Sequence, residues 1–299
     1  MAQESNINRE YKDRLFKRIF GNAEKKEWTL SLYNAMNGSN YSDPEAIQLN
    51  TIEDAVYMGM KNDVSFLIAD TFNLYEHQSS FNPNMPMRFL IYAGMLYDKY
   101  IQENKEYHRY SSVQQKAPTL KCVCFYNGTK KMGDRLVLRL SDAFDPNTKS
   151  DIEVTVTMIN INYGHNSELL AMCKPLEDYS YFVHEVRAKR KPMGSLEKAV
   201  DAAIEALADD SPIKPFLIAN QAEVKNLFIT EYDEERYRAD LKAEGRAEGI
   251  AEGRAEGIAE KAIDIASNML RLGLLSKENI ALATGLPLET IDQLAAQGV

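Results

Sequence analysis

The apolar positions between residues 64 and 78 follow the pattern of two short strands joined by a tight turn. Val64 to Ala69 is apolar and rich in strand-forming residues, and Asp70-Thr71 supplies residues that favour turns. Phe72 to Gln78 then continues as a second strand. The pattern therefore predicts a β-hairpin in the first third of the chain.

The polar residues of this hairpin are expected to separate onto two faces. Successive side chains of a strand point to opposite faces, so Glu76 and Gln78 should share one face and His77 should lie on the other. Asp63 precedes the first strand, and antiparallel pairing would bring it beside Glu76. Two carboxylates there would form an oxygen-ligand site of the kind that Mg²⁺ or Mn²⁺ prefers. The alternative is a polar hairpin edge with solvated carboxylates.

Apolar residues at helical spacing predict two helices that flank the hairpin. The first is Arg9 to Phe20, and the second runs from about Met87 to Asn104, with Pro86 suited to its first turn. The predicted core stripe of the second helix consists of Phe89, Leu90, Ala93, Leu96, Tyr97 and Tyr100. Further elements are predicted at Glu27–Met36 (a helix) and at Ala46–Thr51, Thr119–Tyr126, Leu136–Leu140 and Ile152–Asn162 (strands). The order β-β-β-α-β after an opening helix indicates an α/β fold.

The remaining chain is predicted to be mostly helical and divides the protein into three parts. Ser195 to Leu207 and Gln221 to Phe228 are the clearest helices of a region that should pack on the core. We therefore expect a first domain at residues 1–238, a linker or stalk at 239–260 and a small helical tail at 261–299.

The linker is marked by an Ala-Glu-Gly repeat at residues 243–258 with a strict four-residue period. Each glycine in a helix costs about 1 kcal/mol relative to alanine, which makes this segment a poor isolated helix. Glycines every four residues also permit close approach of another helix. The repeat is therefore either a stalk through which copies of the chain self-associate or a mobile, half-formed helical linker.

The tail is predicted to contain an amphipathic helix at Lys261–Leu272, followed by two short helices around the turn Thr284-Gly-Leu-Pro287. This arrangement is similar to a helix-turn-helix fragment. The second short helix contains the acidic residues Glu289 and Asp292 and almost no basic ones. A packing or dimerisation unit is therefore favoured over a DNA-reading regulator.

Composition narrows the classes of protein further. The net charge of −9 argues against a nonspecific nucleic-acid coat, although Arg187 to Lys191 is a basic run that either contacts phosphates or faces solvent. Apolar runs are too short for a membrane helix, the first residues lack signal-peptide features, and three cysteines are too few for a disulfide framework. We therefore expect a cytoplasmic protein with buried thiols and no membrane partner. A phosphate-binding loop of the GxxxxGK[ST] type is also absent from the sequence.

One extended pattern identifies a candidate family. Asp63 opens one predicted strand and Glu76-His77-Gln78 lies on the next, and similarity continues through flanking segments at 11–20, 79–90, 126–128 and 140–144 and in the Ala-Glu-Gly tail. This pattern resembles the PD-(D/E)XK nuclease superfamily, and more closely the Rpn family of recombination-promoting nucleases and putative transposases. The resemblance spans nearly the whole chain.

The resemblance implies an α/β, restriction-endonuclease-like αβββαβ core with added helices and a helical C-terminal tail. It also implies a DNA endonuclease that uses Mg²⁺ or Mn²⁺ and is linked to recombination or transposition. Asp63 and Glu76 would be direct metal ligands, and the main-chain carbonyl of His77 would be a third. Gln78 stands where most of the superfamily has a lysine, so it can orient water but supplies no charge.

Two further sets of residues complete the implied site. Asp13 on the opening helix would be an additional acid; the alternative is a helix charge favoured by the dipole. Lys17, Lys61 and Arg88 are the candidates for a compensating cation that contacts phosphate. The rival hypothesis is a nuclease-fold protein without turnover, which binds DNA or acts as a scaffold and self-associates through its tail.

Overall fold

The computed structural model describes residues 14–49, 63–108 and 110–296. Its strands are β1 Gln48–Leu49, β2 Val64–Ile68, β3 Thr71–Gln78, β4 Thr119–Tyr126, β5 Arg135–Arg139 and β6 Thr155–Asn160. Its helices are α1 Arg14–Phe20, α2 Lys26–Asn37, α3 Met85–Glu103, α4 Ser167–Met172, α5 Lys174–Met193, α6 Leu196–Ala206, α7 Lys214–Ala219, α8 Gln221–Leu272, α9 Lys277–Thr284 and α10 Leu288–Ala296. The predicted α/β class is confirmed. In these ranges no helix is both long and apolar enough to cross a membrane.

The strands of the described residues form one mixed sheet in the order β1-β2-β3-β4-β6-β5. Strands β2 and β3 form the predicted antiparallel hairpin, and β3, β4 and β6 run parallel to one another. Helix α3 lies between β3 and β4 in the chain, as a parallel connection requires. The carboxyl ends of the three parallel strands therefore meet at one edge of the sheet.

The hairpin turn lies one residue earlier than predicted. Ala69 and Asp70 form its two central positions, with φ of 46° and 55°. Positive φ at both positions is the geometry of a type I′ turn, whose twist suits a two-residue hairpin. An alanine in this region is uncommon, which explains why turn-residue statistics favoured Asp70 and Thr71.

The two faces of the sheet carry separate hydrophobic clusters. On one face Tyr75 packs with Phe16 of α1, Leu32 of α2 and Phe182 of α5. On the other face, the neighbouring residue Leu74 packs in the cluster of α3. The alternation of strand side chains thus divides the core into an α1-α2-α5 side and an α3 side.

Several predicted boundaries change in the structure. The long helix begins at Met85 rather than Met87, and it buries Tyr92, which the predicted stripe omitted. The first strand is reduced to Gln48–Leu49 in the described residues, and the last predicted strand is shorter, at Thr155–Asn160. Residues 9–13 of the predicted opening helix and residues 50–51 of the predicted first strand lie outside the described ranges.

The chain divides into two compact units, residues 1–231 and 232–299. In the second unit the backbone of the Ala-Glu-Gly repeat is helical, as part of α8. A Cβ on any of its four glycines would meet no described atom within 4 Å. Ala266, Ile280 and Ile291 form the small core of this unit, and Ser276 caps α9 through its side chain. Self-association through the repeat stays a prediction.

Candidate metal centre

Two carboxylates meet where the β2–β3 hairpin opens. Val64 pairs with Tyr75, so Asp63 stands opposite Glu76 across the antiparallel strands. The main-chain N–H of Asp63 donates to Glu76 Oε1 at 3.3 Å, and the N–H of His77 donates to Asp63 Oδ2 at 2.7 Å. Each carboxylate is therefore held by the main chain of the opposite strand, and the expected proximity of Asp63 and Glu76 is observed.

Both carboxylates lie in the interior. Glu76 has 0% of its surface exposed and Asp63 has 8%. A buried carboxylate is stable only when hydrogen bonds or opposite charges compensate for its lost hydration. The alternative of a hairpin edge with solvated carboxylates is therefore wrong, and the pair requires a positive partner.

Arg88 provides one such partner from the first turns of α3. Its Nη2 lies 2.9 Å from Glu76 Oε2 and donates to the Tyr92 hydroxyl oxygen at 3.0 Å. Burial alone would lower the pKa of Arg88, but the combined interactions with Glu76, Tyr92 and Asp63 outweigh it and raise that pKa. Burial, with a contribution from Glu76, raises the pKa of Tyr92 to about 12. The guanidinium is therefore charged and the hydroxyl protonated at neutral pH.

His77 lies on the opposite face, as the alternation predicted. Its ring stacks on Phe16 with centroids 5.2 Å apart, and its Nε2 lies 3.1 Å from the Tyr179 hydroxyl. These contacts join β3 to α1 and α5, which indicates a structural role for the imidazole. The His77 N–H points toward β2, and in an extended strand the carbonyl of a residue points to the same side as its N–H. That carbonyl therefore lies on the Asp63 side of the strand.

The other candidate residues have different positions. Gln78 is buried at the end of β3. Its main-chain carbonyl oxygen accepts a hydrogen bond from the main-chain N–H of Asn127 at 3.0 Å. Lys17 is half-buried on α1 and makes no ion pair with either carboxylate in the described part of the chain. Asp13 and Lys61 lie outside the described residues. Of the three proposed cations, the structure thus brings Arg88 to the pair.

Sequence reasoning missed an anchor at the same edge of the sheet. Arg187 of α5 donates through Nη1 to Asn127 Oδ1 at 2.8 Å and to Asn162 Oδ1 at 3.1 Å. Its Nη2 donates to the Asn127 carbonyl. Arg187 therefore ties together the chain after β4 and β6 and does not simply face solvent. The basic run at 187–191 was the available signal, but its partners are distant in sequence.

The donor set around Asp63 and Glu76 fits a magnesium-type ion. Among the described residues no group of three or more His, Cys, Asp or Glu side chains could hold a metal. A carboxylate pair supplemented by a carbonyl and waters suits Mg²⁺, whereas a structural zinc site needs four protein ligands.

The cysteines do not form a second centre. Cys124 is buried and Cys122 is half-buried on β4, and both belong to the cluster on the α3 side of the sheet. Burial raises the pKa of the Cys122 thiol to about 12. A thiol that is protonated and buried is inert as a nucleophile, in agreement with the expectation of buried thiols.

No protein-family model, no curated protein and no solved structure matches this chain. The geometry of the described residues is therefore the basis for the functional proposal.

Proposed function

We propose that this chain is a DNA endonuclease that hydrolyses phosphodiester bonds with Mg²⁺ or Mn²⁺. The carrying observation is the buried pair Asp63 and Glu76, fixed by reciprocal main-chain hydrogen bonds, with Glu76 also paired with Arg88. Burial of two acids side by side lowers stability, so a site that binds a divalent cation gives this arrangement a purpose.

The element order supports a restriction-endonuclease-like core as part of the proposal. Helices α1 and α2 are followed by three strands, the helix α3 and the parallel strand β4, so the order contains the αβββαβ sequence that the resemblance implies, with α2 as an added helix. The carboxylates lie at the open end of the hairpin, at the carboxyl end of β3. Polar groups gathered at such an edge can reach a substrate that lies along it.

The proposed chemistry assigns a role to each residue. A bound Mg²⁺ would activate water and neutralise charge on the phosphate. Asp63, Glu76 and the His77 carbonyl would hold the ion, and Gln78 would orient the attacking water through its amide. A bond forms between the oxygen of the attacking water and phosphorus. The bond between phosphorus and the leaving oxygen breaks, and the leaving oxygen receives a proton. No oxidation or reduction occurs. Asp13, Lys17 and Lys61 stay candidates for auxiliary roles.

The rival function is a nuclease-fold protein that binds a partner without turnover. Its support comes from the second unit, where Ile258, Leu272 and Leu282 are exposed on a helical surface. Apolar side chains exposed in this way are typical of interaction surfaces when they are contiguous.

Recombination or transposition is the biological setting that the family resemblance implies for the active form.

Cleavage of supercoiled plasmid separates the two functions. The purified full chain is incubated with Mg²⁺ or Mn²⁺, beside Asp63→Asn and an EDTA control. Asp151→Asn makes the same change at an exposed residue and should cleave like wild type. Metal-dependent nicking that is lost only in Asp63→Asn is the expected result. A folded protein that leaves the plasmid intact with both metals would instead favour the rival.

A further inference from the structure

Gln78, beside the proposed metal ligands on β3, does not supply the positive charge that phosphodiester hydrolysis needs. Gln78 lies on the same face as Glu76, and its amide carries no charge. Phosphoryl transfer depends mainly on positioning and on stabilisation of negative charge around the phosphorus. Another cation therefore has to act close to Glu76 if the site hydrolyses phosphodiesters efficiently.

Arg88 has donors that the described protein leaves unused. Its Nη2 donates to Glu76 and to Tyr92, and these contacts hold the guanidinium in place. Its buried Nε has no hydrogen-bond partner among the described residues. The contact of its Nη1 is with the Met85 sulfur at 3.7 Å, and a thioether is a weak acceptor. Nη1 thus retains N–H donors suited to an oxyanion, whereas the buried Nε does not face an incoming ligand.

The ion pair is reachable from the Arg88 side. The Arg88 side chain keeps 23% of its surface exposed, whereas that of Glu76 has none. A guanidinium presents its N–H groups in a fixed planar fork that matches the oxygens of a phosphate. A phosphate approaching Glu76 would therefore meet a preorganised donor that needs no new rotamer.

We propose that Arg88 is the catalytic cation of this site, which contacts the scissile phosphate in the role that a lysine at position 78 would otherwise fill. This inference rests on the proposed nuclease function. Tyr92 is the positioning residue, because its hydroxyl oxygen accepts from the same Nη2 that binds Glu76. Because Arg88 comes from α3, the site can stabilise negative charge on the phosphate although residue 78 is a glutamine.

Arg88 affects metal binding and catalysis in opposite directions under this proposal, whereas a purely structural ion pair would affect metal binding alone. A cation 2.9 Å from Glu76 Oε2 repels a second cation at that carboxylate and competes for its lone pairs. Arg88 therefore lowers metal affinity while it raises the rate of hydrolysis. Removal of its charge should shift these two quantities in opposite directions.

The test measures Mn²⁺ binding by calorimetry and plasmid cleavage on the same preparations of full-length protein. Arg88→Gln should bind Mn²⁺ about tenfold more tightly and lower kcat about 10²–10³-fold. Arg88→Lys keeps the charge, so its metal affinity should stay near wild type and its kcat should fall less than that of Arg88→Gln. Tyr92→Phe should lower kcat about tenfold and leave Mn²⁺ affinity within about twofold.

A control and the remaining outcomes keep the inference distinct from the proposed function. Arg135→Gln makes the same change at an exposed residue of β5 and should behave as wild type. If Arg88→Gln weakens metal binding and cleavage together, or leaves kcat unchanged, Arg88 is not the catalytic cation. If Arg88→Gln does not fold, a kcat of Arg88→Lys equal to wild type supports the charge role, and a loss as large as that of Asp63→Asn overturns it. A wild-type protein without Asp63-dependent binding and cleavage overturns both proposals.

Discussion

Glu76 and His77 are neighbours in sequence, yet they lie in opposite kinds of environment. Glu76 faces α3, where its buried charge meets the guanidinium of Arg88. His77 faces α1 and α5, where its ring contacts Phe16 and Tyr179. The same strand thus holds a polar residue whose burial requires a cation and another whose burial completes an aromatic cluster. Under the proposed function, the Glu76 face carries the chemistry and the His77 face carries stability.

The largest effect is expected on cleavage when a carboxylate of the Glu76 face is neutralised. Asp63→Asn keeps the size of the side chain but removes a metal-binding charge, so kcat should fall about 10³-fold or more. Initial rates of plasmid nicking measure this change. His77→Gln should retain cleavage within about tenfold, because the His77 side chain lies on the other face. Equal losses in the two variants would remove the functional contrast.

A substitution in the aromatic cluster around His77 is expected to lower stability and to leave cleavage nearly unchanged. Phe16→Ala removes a fully buried ring that contacts His77, Phe20, Phe125 and Tyr179. The free energy of unfolding should fall by about 3–5 kcal/mol, the usual cost of such a cavity. Urea titration followed by circular dichroism measures it. Cleavage per folded molecule, assayed at low temperature, should stay close to that of wild type.

The tyrosines of both faces predict a loss of stability in alkali. Burial raises the pKa of Tyr92 on the α3 side, to about 12, and that of Tyr75 on the other side. A group whose folded pKa is raised contributes its full stability below the unfolded pKa, near 10, and loses it as pH rises through the folded value. The unfolding free energy should therefore decrease above pH 10, by at most about 1.4 kcal/mol per pH unit for each tyrosine.

Tyr92→Phe should remove part of that slope between pH 10 and 12. Denaturant titrations of wild type and variant at several pH values measure the difference. Identical slopes would show that Tyr92 ionises as easily in the folded state as in the unfolded chain.

The smallest effect is expected from the hydrogen bond of His77. Tyr179→Phe removes a hydroxyl 3.1 Å from His77 Nε2 but keeps the ring. The unfolding free energy should decrease by about 1 kcal/mol, the net value of one such bond. Cleavage should not change. A loss of cleavage with stability intact would instead give the His77 face a part in the chemistry.

Local alternation was sufficient to predict the opposite faces of Glu76 and His77. Antiparallel pairing also predicted that Asp63 would lie near Glu76, although a two-residue turn at Asp70 and Thr71 would have set Asp63 opposite Gln78. The turn itself was misplaced by one residue, since Ala69 adopts a positive φ that its side chain does not favour. Tertiary structure here overrides local preference.

The partners of the site depend on contacts that no local pattern contains. Arg88 was one of three candidate cations, and the packing of α3 on the sheet brings its guanidinium to Glu76. Tyr92 was absent from the predicted helix stripe although it is buried. Arg187 bonds to Asn127 and Asn162 across large sequence separations. Such pairings arise from the order of strands in the sheet, which periodicity alone does not determine.

Calorimetric titration of the wild-type protein with Mn²⁺, beside Asp63→Asn and Asp151→Asn, tests the central claim most directly. The account predicts saturable binding in wild type and in Asp151→Asn, and its loss in Asp63→Asn. Absence of binding by the folded wild-type protein, or equal binding by all three, would contradict a metal centre at Asp63 and Glu76.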